Sequence, residues 1–308
     1  MAKKFIAGID LGGTNLKIAL LDLNLRIRHK EVLNTRKFTN REGLISAIVD
    51  SVYKILKDNG LSKTDLLGVG LGLPGPIDFE KGIVHFFPNI PGWKEVKLKN
   101  ILEKKLKLPV FVDNDAKVMA LAEYKLGAAK GSTNAVCITL GTGVGGGIII
   151  NGKLYRGLSN AAGEIGHMPV NENGPVCNCG GRACLETYIG NNRVLAEAKK
   201  IFGSGITLEK LSYMAKNQNR KAKAVWLRFS ERLSVALAGV VNLLNPDCIV
   251  IGGGVAAAGN VLFDSIKKAV SRRAMSVQAK HVKIFRAKLE NNAGIIGAAI
   301  LVKEAMGK

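Results

Sequence analysis

Three cysteines and a histidine fall within eighteen residues of this chain, at His167, Cys177, Cys179 and Cys184. Thiolate sulfur and imidazole nitrogen are the donors zinc prefers, and four of them complete a closed tetrahedral shell. The pair Cys177 and Cys179 requires a sharp local turn, which Gly180 and Gly181 allow. A free cysteine can also serve as a small core hydrophobe. Here Asn, Gly, Pro and Arg surround the three, with no apolar periodicity, so the spacing predicts a structural metal site. With four protein donors bound, no coordination position is left for water or substrate, and the ion is not expected to do chemistry. Its expected use is to stiffen the loop that carries Glu164 and Glu186. A rigid pair of carboxylates is suited to gripping hydroxyl groups.

Three glycine-rich turns suggest a second chemistry, at residues 10–14, 140–147 and 251–255. Glycine lets backbone N–H groups approach phosphate oxygens with no Cβ in the way. One such turn is ordinary between strands; three spread over the chain point to phosphate handling. None has the lysine that follows the last glycine of a Walker loop, and none is a single loop opening a helix as in dinucleotide binding. The third candidate is the run Asp113-Asn114-Asp115-Ala116, where a strand is expected to end and a helix to begin. An aspartate at such a junction commonly caps the helix. That role is expected for one of the two, leaving the other available for proton transfer.

The elements that position these residues alternate between strands and helices. Apolar runs at 5–10 and 18–23, then a segment at 26–34, read as a hairpin with an added strand. Residues 41–59 read as an amphipathic helix with Leu44, Ile48, Val52, Ile55 and Leu56 on one face. Residues 67–73 form a buried strand broken at Pro74-Gly75-Pro76, followed by a helix at 99–107, a strand at 110–112 and a helix at 116–125. The pattern then repeats. A strand at 134–140, a glycine turn over 141–147 and a strand at 148–150 end in Asn151-Gly152, a strong hairpin signal. A long helix is expected at 225–244, a buried strand at 248–251 and an apolar helix at 294–305. Two similar halves are the economical architecture.

With 308 residues and 47% hydrophobic content, the chain can bury a large core and split into two domains. No run of eighteen apolar residues is present, and no secretory segment precedes the first strand, so neither a membrane partner nor export is expected. Cys137 and Cys248 lie in apolar runs, and with the metal pattern they imply a reducing, cytoplasmic setting. The net charge of +21 is compatible with nucleic-acid binding. Its lysines are dispersed and not interleaved with aromatics, which favours a basic solvated surface without specific nucleic-acid recognition.

In order along the chain, these motifs resemble those of the actin-like ATPase and sugar-kinase superfamily. The turn at 10–14 is similar to its first phosphate motif, 140–147 to its second and 249–256 to its adenosine motif. Together with Glu164-x-x-His167 and the Cys-x-Cys-Gly-x-x-x-Cys-x-Glu run, they resemble the ROK family (repressors, open reading frames, kinases) over essentially the whole chain. The resemblance implies an α/β protein with a two-domain, ribonuclease H-like fold and a cleft between the domains. The small domain would be 1–117 plus 292–308, and the large domain 118–291. Family repressors carry a helix-turn-helix segment before the first phosphate motif; Asp10 lies near the start of this sequence, so the kinase branch is expected.

The resemblance also assigns roles. Asp115 is the implied base. Gly75, Asn89, Asn114, Glu164, His167 and Glu186 match sugar-contacting positions, with His167 sharing its two ring nitrogens between zinc and a sugar hydroxyl. Asp10 would hold Mg²⁺ through water. Gly12, Gly13, Thr14, Asn15, Gly141, Thr142 and Gly143 would meet the phosphates of ATP, and Gly253 and Gly254 would pass close to the nucleotide. Lys17 reads as a solvated strand residue. Metal removal is expected to reduce sugar affinity or stability, with the nucleotide loops less affected. The implied activity is transfer from ATP to the 6-hydroxyl of glucose by a homodimer. One departure is Lys117, where glucokinases of the family often have asparagine. It leaves room for a kinase acting on N-acetylglucosamine or N-acetylmannosamine. A sugar-sensing protein on a kinase scaffold is the non-enzymatic alternative.

Overall fold

Strands whose side chains are covered on both faces read as continuous apolar runs, and two such runs centre the first sheet. In the computed structural model, which describes residues 4–87 and 90–307, β1 (Phe5–Leu11) and β4 (Leu66–Leu73) are buried almost throughout. β2 (Asn15–Asp22) and β3 (Ile27–Asn34) extend the sheet antiparallel on one side of β1. β4 and β8 (Val110–Asn114) extend it parallel on the other, giving the order β3-β2-β1-β4-β8. β5 (Ile77–Asp78), β6 (Ile83–Phe86) and β7 (Lys94–Val96) form a separate small sheet. At two to four residues each, they are too short for a period to show in the sequence. Asn89, an expected sugar contact, lies outside the described residues.

Helix α1 (Arg41–Asp58) starts at Asn40, whose side chain accepts the Gly43 N–H, and buries Leu44, Ile48, Val52 and Ile55 against the sheet core. α2 (Leu98–Leu106) precedes β8, and α3 (Asp115–Lys125) follows it directly. These elements, with α3 as far as Ala122, belong to a compact unit formed by Met1–Ala122, Arg156–Ala162 and Asn291–Lys308. Its C-terminal helix, Ala293–Ala305, lies so close to the sheet that only glycine fits beneath it. A Cβ on Gly70 would stand 1.8 Å from the Ala298 carbonyl oxygen.

The second unit comprises Glu123–Tyr155 and Gly163–Glu290. Its sheet repeats the first: β9 (Ala135–Leu140), β10 (Val144–Ile150) and β11 (Lys153–Tyr155) are antiparallel, and β12 (Cys248–Gly252) and β13 (Lys283–Arg286) are parallel. The order β11-β10-β9-β12-β13 matches that of the first sheet. Asn151 and Gly152 both take positive φ, 50° and 76°, as a two-residue hairpin turn requires. Helices α4 (Glu186–Ile189), α5 (Asn191–Phe202), α6 (Leu208–Lys216), α7 (Arg220–Leu244), α8 (Asn260–Arg273) and α9 (Ser276–His281) accompany this sheet. Trp226, Phe229, Leu233 and Leu237 line the buried face of α7. Glu123 is fully buried, and its carboxylate accepts the backbone N–H groups of Ala128, Lys288 and Leu289. Among the described residues, no helix is long and apolar enough to cross a membrane.

The glycine contacts give a direct test of the close packing on the first sheet. Gly70→Ala should lower unfolding free energy by about 2–3 kcal/mol through overpacking. Gly205→Ala should be near neutral, since nothing lies within 4 Å of its Cβ position. Equal denaturant midpoints for the two variants would contradict the packing described.

Candidate functional site

The Cys/His loop forms in one tight local structure. A hydrogen bond from Cys177 N–H to the Gly181 carbonyl closes it, with Gly180 at φ 90° making the turn. His167 ends the short 3-10 turn Ile165–His167, which lies against β10 so closely that a Cβ on Gly166 would stand 2.1 Å from the Val144 oxygen. The four donor atoms of His167, Cys177, Cys179 and Cys184 lie within 4.8 Å of one another. Cys179 and Cys184 Sγ are 3.7 Å apart, and Cys177 Sγ is 3.6 Å from His167 Nδ1. A tetrahedral zinc with bonds of ~2.3 Å to sulfur and ~2.0–2.1 Å to nitrogen sets these separations at ~3.8 and ~3.6 Å. The donor set therefore fits zinc in both chemistry and spacing. Nδ1 is the ring nitrogen on the sulfur side, and Nε2 lies 4.0 Å from Glu164 Oε2. Burial foremost, and the neighbouring thiols, push the Cys184 thiol up to about 12. Hydrogen bonds, first from the Gly181 backbone and then from Cys177, pull Cys179 down. A bound cation would displace such protons.

The residues after the last cysteine grip the second glycine loop. Glu186 Oε2 accepts the Val144 N–H at 2.8 Å, and a Cβ on Gly143 would collide with that oxygen at 2.5 Å. Asn191 N–H donates to the Gly141 carbonyl at 3.0 Å, and Gly190 leaves room for the Thr142 carbonyl. Glu186, an expected sugar contact, thus has one of its oxygens committed to the loop. The expected glycine turn over 141–147 is also shorter than foreseen. Only Gly141, Thr142 and Gly143 turn, and Val144 already begins β10. The later glycines serve the sheet instead, since a Cβ on Gly146 would stand 2.3 Å from the Gly163 oxygen. At the neighbouring strand end, Gly253 has φ 88° and sits against the Leu140 carbonyl, whereas Gly254 faces open space.

In the first unit, Asp10 and Lys17 face each other across the β1–β2 ladder. Lys17 Nζ lies 2.8 Å from Asp10 Oδ2 and also reaches the Asn291 carbonyl. Lys17 is thus a half-buried partner of the expected magnesium carboxylate. Gly294, in the C-terminal helix, leaves the space this carboxylate fills, with Asp10 Cγ 2.5 Å from its Cβ position. Gly12 donates to the Asn15 carbonyl, and its own carbonyl accepts the Thr35 hydroxyl, which holds the first loop while Gly13, Thr14 and Asn15 stay exposed.

The junction of β8 and α3 also departs from expectation. The strand continues through Asn114, and Asn114, not either aspartate, caps the helix. Its Oδ1 accepts Ala116 and Lys117 N–H groups, and its Nδ2 donates to the Gly75 carbonyl at 3.1 Å. Gly75 itself needs to be glycine, with φ 101° and the Phe86 oxygen 2.2 Å from its Cβ position. Asp113 is fully buried and bonded to Arg156 at 2.8 and 3.0 Å. Burial raises its carboxyl above the ordinary range, and Arg156, the Asn114 N–H and Lys117 pull against that rise. Asp115 is half-buried, with Oδ1 accepting the Ala116 N–H. Arg156 and Gly294 carry no motif in the sequence; only the three-dimensional contact singles them out.

The chain matches the model of the ROK family over residues 6–305. A glucokinase of Halalkalibacterium halodurans is 38% identical over 323 aligned residues, covering 99% of this chain and 96% of the relative. A xylose repressor of Caldicellulosiruptor bescii is 30% identical and covers 96% of this chain but 77% of its own length. Among solved structures, a ROK-family glucokinase of Streptomyces griseus in complex with glucose and AMPPNP has a TM-score of 0.85 and 31% identity, covering 97% of this chain and 99% of its own. That likeness agrees with the repeated sheets described above: the fold is the two-domain, actin-like α/β fold of the ROK sugar kinases. The chain belongs to the ROK family.

Proposed function

We propose that this chain is an ATP-dependent hexose kinase that phosphorylates the 6-hydroxyl of glucose. The observation that carries the reading is the β8–α3 junction. There Asn114 takes the capping role and is pinned to Gly75, so Asp115 is not needed as the helix cap. Full-length likeness to glucokinases supports it.

In this account, Asp115 accepts the proton of the 6-hydroxyl as that oxygen attacks the γ-phosphorus of ATP and ADP departs. Asn114 and the Gly75 loop are assigned to orienting the sugar, as is Asn89. Glu164, His167 through Nε2, and Glu186 are assigned to other hydroxyls. Gly12, Gly13, Thr14, Asn15, Gly141, Thr142 and Gly143 are assigned to the phosphates. Gly253 and Gly254 serve the nucleotide. Asp10 would hold hydrated Mg²⁺, which neutralises phosphate charge when bound. His167, Cys177, Cys179 and Cys184 would hold structural Zn²⁺. We assign the first phosphate loop and the Asp115 side of the sugar site to one domain, and the zinc loop, second phosphate loop and adenosine motif to the other. A cytoplasmic homodimer completes the proposal.

Lys117 in place of the frequent asparagine favours a second reading, a kinase for N-acetylglucosamine or N-acetylmannosamine. The repressor relative keeps a sugar sensor in view, but Asp10, Asp115 and all three glycine loops are present here, as turnover requires.

Two outcomes follow. Asp115→Asn should lower kcat by about 10²–10⁴-fold, measured as ADP release with glucose; near-parental turnover would refute the base. Zinc removal by a strong chelator should lower the melting temperature and weaken both glucose and nucleotide binding. The nucleotide effect arises because Glu186 and Asn191 tie the segment after Cys184 to the loop at Gly141–Gly143. Metal analysis showing no zinc in the purified protein, or unchanged nucleotide affinity after stripping, would contradict this.

A further inference from the structure

The loop Arg156–Ala162 lies between two segments of the second unit yet belongs to the first. It closes on itself through a hydrogen bond from Ala162 N–H to the Arg156 carbonyl, with Leu158 fully exposed. Two cationic side chains tie it down. Arg156 stacks over the Phe79 ring at 3.7 Å and bonds the buried Asp113. Lys117, on the first turn of α3 and 2% exposed, carries its ammonium to the carbonyl of Asn160, a residue in the left-handed region at φ 59°. Burying an ammonium is costly unless charge and hydrogen bonds meet it. An uncharged residue would have filled the same space without that cost. The two tie points, Asp113 and Lys117, bracket Asn114 and Asp115 in the sequence.

We propose that Lys117 is a positioning residue for phosphoryl transfer, clamping the loop Arg156–Ala162 onto the turn that presents Asp115. The inference rests on the kinase reading above. Beyond Ala162 the chain passes Gly163, at φ 94°, straight into Glu164 and His167. The loop that the clamp fixes to the base's turn therefore leads directly, along the chain, to two residues assigned to the sugar. Small misplacements at such a site cost rate more than they cost binding of the remote nucleotide.

The test compares the parent with Lys117→Met and Lys117→Arg, by steady-state kinetics and by limited chymotrypsin digestion with cleavage at Leu158 read by mass spectrometry. Lys117→Met should lower kcat about tenfold or more with the KM for ATP nearly unchanged, and should speed cleavage at Leu158 several-fold. Lys117→Arg, which keeps a charged donor, should recover most of both. If Lys117→Met does not fold, Lys117→Gln replaces it under the same two readings. Parental kcat and cleavage in the neutral variant overturn the clamp, as does an arginine variant no better than methionine. Faster cleavage in a protein whose parent turns over no sugar would support the clamp and overturn the kinase reading it serves.

Discussion

A carboxylate with no solvent around it stays ionised only where cations and N–H groups are brought to it. Asp113, at the end of β8, imposes that demand on the first unit. Arg156 answers it from 43 residues away, anchored in turn on Phe79, and Lys117 adds a second positive charge from the next helix turn. Once Asp113 is fixed, Asn114 follows in register with Leu73 of β4, caps α3 and holds the Gly75 carbonyl. The position of Asp115 is then determined by backbone on both sides. Removing one partner from such a buried group generally costs more than the bond itself, because the other partner is left unmet.

The second unit reaches rigidity by a different means. Its glycine loop at Gly141–Gly143 has little side-chain matter of its own, so its shape depends on what grips it. The grip comes from Glu186 and Asn191, which follow the last cysteine of the donor cluster within seven residues. Fixing four donors around one point fixes the start of that segment. The cluster is therefore tied as closely to the phosphate loop as to the carboxylates expected to meet a sugar.

The sequence made the motifs legible because each is local. Cysteine spacing, glycine turns, the Asn151-Gly152 hairpin and the apolar faces of α1 and α7 depend on residues near one another in the chain. What it hid depends on distant contacts or on competition. Asn114 caps α3 in place of either aspartate because the strand runs one residue further than expected, which puts Asn114 at the position before the helix. Gly145, Gly146 and Gly147 look like turn residues, yet they pair with Thr139, Ile138 and Cys137 of β9 as part of a strand, and Gly146 is glycine there because the Gly163 carbonyl passes too close for a Cβ. Lys17 looks solvated, but register places it opposite Asp10. The pairings of Arg156 with Asp113 and of Glu186 with Val144 span 43 and 42 residues, and no local pattern announces them.

The most direct measurement is ADP release from MgATP by the purified chain, with glucose, mannose, fructose, N-acetylglucosamine or N-acetylmannosamine as acceptor. The account predicts rapid release with glucose, weak release with the acetamido sugars and little without a sugar. Preference for an acetamido sugar would contradict the glucose assignment, and no release with any hexose would contradict the kinase itself.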